Sequence, residues 1–114
     1  MRTLLKVTID AEPGNKGILE GSLPKVIQET YQRLNPEAAY FYSDKGRRSC
    51  MMVFDMKDSS EIPGITEPFF IAMNAEVELY PVMNAEDLQK GLGMFMSSQN
   101  KQNFFAFICY KLSA

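Results

Sequence analysis

From Thr3 to Asp10 the chain alternates, with Leu5, Val7 and Ile9 on one side and Leu4, Lys6, Thr8 and Asp10 on the other, the two-residue period of a strand. Glu12-Pro13-Gly14-Asn15 reads as a turn cluster. From Lys16 to Leu34 the apolar positions Leu19, Leu23, Val26, Ile27, Tyr31 and Leu34 recur at spacings of three and four, which predicts an amphipathic helix. Pro24 interrupts it, so a new or kinked segment is expected at Ser22, a good N-cap, and Asn35-Pro36 ends it. Glu37 to Ser43 predicts a second strand and Arg48 to Met56 a third, joined by a tight turn at Asp44-Lys45-Gly46. The third strand is apolar on both faces, as a central strand should be. Asp58 and Glu61 form a capping-box pair opening a second helical region, which Pro63, Gly64 and Pro68 are expected to break into short turns, with Asn74 as its cap. Ala75 to Met83 predicts the fourth strand, and Asn84 caps a short helix over AEDLQKGL.

The order strand, helix, strand, strand, helix, strand is the split βαβ arrangement of a ferredoxin-like α+β fold, βαββαβ with an antiparallel four-stranded sheet. Right-handed crossovers put both main helices on one face, and the usual strand order, 4-1-3-2, leaves the second and fourth strands at the edges. The helix-packed face is then Leu5, Val7, Ile9, Ala39, Phe41, Val77, Leu79 and Met83 with one set from the third strand. The opposite face carries Leu4, Lys6, Thr8, Ala38, Tyr40, Tyr42, Glu76, Glu78, Tyr80 and Val82. A water-facing sheet would be mostly polar, whereas this surface interleaves tyrosines and aliphatics with a few charges. It is expected to pair with a second copy of the chain, a homodimer through the open sheet, with a small-molecule cavity inside the barrel or between sheet and helices.

Residues 1 to 95, and above all the stretch EPFFIAMNAEVELYPVMNAEDLQKGL, resemble the dimeric α+β barrel superfamily, ferredoxin-like subunits paired through their sheets, and its small bacterial members in particular. The resemblance implies a small-molecule-binding protein with a cofactor-free monooxygenase- or isomerase-like activity as one outcome and a stress-associated or assembly module, paired but not catalytic, as the other. That stretch is not a catalytic signature, and the superfamily constrains fold far more than chemistry.

Composition narrows the chemistry. Twelve basic and 14 acidic side chains give a net charge of −2, so the electrostatic term behind most nucleic-acid binding is missing. There is no histidine, which removes the commonest general base, the histidine of hydrolytic triads and the usual zinc or haem ligand. No Walker, GxGxxG, HExxH or GxSxG motif occurs, so neither a cofactor nor a metal is expected. Cys50 and Cys109 form no CxxC pair and read as reduced and buried. The N-terminus lacks the apolar core of a signal peptide, and no stretch reaches the length of a membrane span. A cytoplasmic protein is the expectation, with no membrane and no nucleic-acid partner.

The candidate ligand-binding residues all stand on the uncovered face: Lys6, Tyr40, Tyr42, Glu76, Glu78 and Tyr80. Lys6 is expected to pair across strands with Glu76 and Glu78, as a structural neutralisation or as the setting for a carboxylate with a raised pKa. The tyrosines could orient an aromatic or carbonyl ligand, or simply pack. Arg47 and Arg48 at the hairpin exit read as a solvated turn, with a carboxylate or phosphate clamp as the alternative. The chain divides on this reading into a barrel domain, 1–96, and an extension, 97–114: a polar linker, then a strand-like run, FFAFICYKL, that needs a sheet edge or groove to cover it.

Overall fold

The computed structural model describes the backbone of residues 1–113 and the side chains of residues 1–99. Its elements are β1 (Arg2–Ile9), α1 (Ala11–Glu20), α2 (Ser22–Leu34), β2 (Ala38–Asp44), β3 (Arg47–Asp55), a 3-10 turn (Ser59–Glu61), α3 (Ile62–Met73), β4 (Glu76–Pro81) and α4 (Ala85–Ser113). Two compact units result, Met1–Val82 and a second beginning at Met83.

In the first unit the four strands form one antiparallel sheet in the order β2-β3-β1-β4, the expected ferredoxin-like arrangement. Its register pairs Leu5 with Met52 and Leu79, and Val7 with Cys50 and Val77. These side chains meet Ile65, Phe69 and Met73, one face of α3 at four-residue spacing, and Leu23 of α2 in the buried core. The sidedness expected from alternation is therefore the sidedness observed. Val82 and Met83 fall outside it, because β4 ends at Pro81.

Local chemistry explains where the elements start and stop. The expected turn at Glu12–Asn15 is instead the opening of α1. Pro13 stands in its first turn, where backbone N–H groups have no intrahelical acceptor and a missing donor costs nothing. Gly21, at φ +81°, ends α1 and is itself the N-cap of α2, and this left-handed conformation suits glycine. Ser22, the expected N-cap, is instead the first helical residue and makes no side-chain cap. Lys45 and Gly46 both have positive φ, giving the two-residue hairpin turn closed by the Asp44–Arg47 pair.

The second helical region is not broken into short turns. The Asp58–Glu61 capping box closes the 3-10 turn, Pro63 occupies the first turn of α3, and the helix continues through Pro68. Pro68 has no N–H to give the carbonyl of Gly64, four residues back. Arg33 Nη1 of α2 donates to that carbonyl at 2.7 Å instead. Glycine at 64 makes this possible, since a Cβ there would collide with the guanidinium. Asn74 ends the helix in a left-handed conformation, as expected.

In the second unit, Asn84 and Asp87 cap α4 reciprocally: Asp87 N–H donates to Asn84 Oδ1 at 2.7 Å and Asn84 N–H to Asp87 Oδ2 at 3.1 Å. The backbone then remains helical to Ser113, through the stretch where a linker and a strand are expected. Short apolar runs do not distinguish strand from helix by pattern alone, and a capped helix already under way needs only propagation. What the side chains of residues 100–114 contact lies outside the described residues, as does the state of Cys109. Among the described residues no helix is long and apolar enough to cross a membrane.

Candidate functional site

The sheet has two candidate surfaces. On the face away from the helices, register sets Tyr40, Met51, Lys6 and Glu78 in one row and Ala38, Val53, Leu4 and Tyr80 in the next. Tyr42, Ser49, Thr8 and Glu76 form a third, where the Ser49 hydroxyl donates to that of Thr8 at 3.3 Å. The six predicted site residues therefore share one surface, and Lys6 lies within electrostatic reach of Tyr42, Glu78 and Tyr80.

Lys6 does not pair with Glu76 or Glu78. Its ammonium reaches diagonally across β3 to Asp44 of β2, 2.9 Å away. The hydrogen bond to Asp44 raises the lysine pKa and the same bond lowers that of Asp44. Glu76 pairs with Arg47 at 3.4 Å, and Arg47 also holds Asp10 at 3.3 Å. Arg47 thus ties the start of α1 to the edge strand, where a solvated turn is the sequence expectation. Glu78 accepts a hydrogen bond from the Tyr80 hydroxyl, which raises the tyrosine pKa. Glu76 and Glu78 are thus held by Arg47 and Tyr80 and not by an ion pair with Lys6. Tyr40 lies 65% exposed.

The second surface lies between the helices and the β2–β3 hairpin. Phe41 points to the helix side, opposite the buried Cys50, yet it is 57% exposed. The helical layer stops short of the edge strand and leaves a cleft. A pocket of about 210 Å³ is lined by Ile9, Ile18, Leu23, Ile27, Phe41, Cys50 and Phe69, with Arg48, Ser49 and Tyr42, one of the predicted site residues, also contributing. It shares Ile18, Leu23, Ile27 and Phe41 with a wider trough of about 610 Å³ that continues along Tyr31. Arg48 shares the inward parity of Cys50 and Met52, opposite Ile9. Its Nη1 donates to Asn15 Oδ1 of α1 at 3.0 Å.

These residues were readable in part. Alternation puts Phe41 on the helix-packed face, but whether a helix covers an edge strand is a tertiary matter. The available sign was Arg48 itself, a charge at an inward position. A further cleft of about 290 Å³ near Arg33, Asp55, Lys57 and Glu61 is polar, and its charged groups are engaged: Asp55 with Lys57, Glu61 in the capping box, Arg33 with Gly64.

Burial pushes the Cys50 thiol up to about 11, so it is protonated and unreactive at neutral pH. Among the described residues no group of three or more Cys, Asp or Glu side chains could hold a metal ion.

No family model matches the chain, and no curated protein does. Among solved structures, the de novo designed protein Ferredog-Diesel is 12% identical over 71% of this chain and 85% of its own, with a TM-score of 0.46. A Deinococcus radiodurans protein described as a putative antibiotic biosynthesis monooxygenase is 15% identical over 75% of this chain and 95% of its own, with a TM-score of 0.44. The ferredoxin-like fold itself rests on the strand order and register above.

Proposed function

We propose that this protein binds a small apolar or aromatic molecule in the cleft between α1–α2 and the β2–β3 hairpin. The observation that carries this reading is Phe41, an aromatic ring on the inward side of an edge strand that is left more than half exposed across from Ile18, Leu23 and Ile27. Concave, mostly apolar surfaces with few polar groups are the usual form of small-ligand sites. Binding is favoured over acid–base turnover because the described lining offers no base near neutral pH: Cys50 holds its proton and a guanidinium cannot accept one. The free, buried Cys50 thiol fits a reducing compartment such as the cytoplasm.

Titration with 1-octanol, an uncharged apolar probe, tests the site. Binding to the native chain and at least a tenfold loss in Ile27→Trp, whose larger ring fills the trough, is the expected result. An absence of binding, or binding unaffected by Ile27→Trp, overturns the reading.

A second property, pairing of two copies through the open sheet face, is favoured by a separate observation. Leu4, Met51 and Val53 are half-buried there beside the exposed rings of Tyr40 and Tyr80, while Lys6 and Glu76 are already neutralised within the subunit. That lowers the desolvation cost of covering them. Light scattering should return twice the mass of one chain; a single-chain mass at all concentrations removes the pairing without touching the cleft.

A further inference from the structure

The cleft has one charged feature, and it is anchored. Arg48 reaches from β3 across the start of α1, where a Cβ on Gly14 would stand 2.8 Å from its Nη1 and 3.5 Å from its Cδ. Glycine at position 14 is what lets the guanidinium lie there. Its hydrogen-bond partner is the neutral amide of Asn15, at 3.0 Å. Lys6, Arg47 and Lys57 each meet a carboxylate. Among the described residues none stands within ion-pairing distance of Arg48. The exposed side chain is therefore oriented by an amide, with no carboxylate partner among the described residues, beside a pocket whose other walls include Ile9, Ile27, Phe41 and Phe69.

We infer that the ligand is an amphipathic carboxylate, aliphatic or aromatic, whose apolar body lies along Ile27 and Phe41 and whose carboxylate takes the remaining donors of the Arg48 guanidinium. The planar fork of a guanidinium matches the two oxygens of a carboxylate, whereas a neutral ligand would leave those donors to water. Asn15 and Gly14 act as positioning residues: one holds the guanidinium and the other leaves it room. This rests on the cleft reading above and adds the chemical class of the ligand.

Octanoate and 1-octanol, matched in chain length, separate the two claims when titrated calorimetrically into the full chain at neutral pH. Octanoate is expected to bind about tenfold more tightly than octanol, the range of a hydrogen bond to a charged group. In Arg48→Gln octanoate should fall to the level of octanol while octanol is unchanged. The Arg48 side-chain N–H resonances of the native protein supply a readout that no unfolded variant can obscure, and they should shift with octanoate and stay put with octanol. Gly14→Ala, which displaces the guanidinium, should also erase the preference. Equal binding of both probes to the native chain, or a preference that survives Arg48→Gln, overturns the inference and leaves the cleft intact. Binding of neither probe overturns the cleft reading and this inference with it.

Discussion

At the residue scale several charges of the first unit are paired within the subunit, and pH should reveal it. Asp55 accepts a hydrogen bond from Lys57 and another from the amino group of Met1 at 2.7 Å, and these hold its carboxyl at about 2 against an ordinary 3.8. A depressed carboxylate stabilises the fold above its unfolded pKa, and that contribution fades as pH falls through its folded one. Thermal melts should therefore show native protein losing stability between about pH 4 and pH 2, with Asp55→Asn lacking that part of the acid limb. Coincident pH profiles for the two would contradict the assignment. Cys50 makes an opposite kind of prediction. Its buried thiol, raised to about 11, should resist iodoacetamide at neutral pH until the protein is unfolded, as peptide mapping by mass would show. The Asp55–Lys57 pair is close in sequence, but the second donor to Asp55, the amino group of Met1, and the burial of Cys50 come from residues far away in the chain.

At the element scale the informative contact is Arg33 against the Gly64 carbonyl, which replaces the hydrogen bond that Pro68 cannot make. Arg33→Met should cost about 1 kcal/mol in urea unfolding, and clearly less in a Pro68→Ala background, where the helix supplies its own donor. An undiminished cost in that background would show that Arg33 does something else. Gly21, at φ +81° with nothing within 4 Å of where a Cβ would stand, isolates a backbone effect: Gly21→Ala should destabilise by about 1 kcal/mol from torsion alone. Sequence pattern located the caps Asp58, Asn74 and Asn84, because caps are local chemistry, but placed the N-cap of α2 at Ser22 where the structure has Gly21. It misjudged the continuity of α3 because the compensation for Pro68 comes from another helix, and the extent of α4 because apolar runs lack a distinctive period.

At the scale of the molecule, the sheet organises the first unit, and its two faces have different fates. On one face Leu5, Val7 and Met52 are fully buried while Phe41 at the edge strand is left exposed. The other presents Leu4, Met51 and Val53 among paired charges. If two copies pair there, Val53→Lys should convert a two-chain species to a single chain in light scattering, because a symmetric interface receives the unpaired ammonium twice. Ile27→Trp, on the other side of the sheet, should leave the mass unchanged. A Val53→Lys protein of unaltered mass would move any self-association to another surface. The six residues predicted as a ligand site are legible as neighbours on one face, since strand alternation fixes which side each occupies. Which partner Lys6, Glu76 and Glu78 take, Asp44, Arg47 and Tyr80 respectively, is a matter of side-chain reach that alternation does not encode.

By itself the sequence determined the element order, the sidedness of each strand and most of the caps, because these follow from periods of two and 3.6 residues and from chemistry within a few positions. Only the tertiary structure decided that Lys6 turns to Asp44, that Arg33 repairs the gap left by Pro68, and that Phe41 and Arg48 frame an uncovered cleft. Each of these depends on where separate elements come to rest against one another, and on the distances left between them once the core has closed.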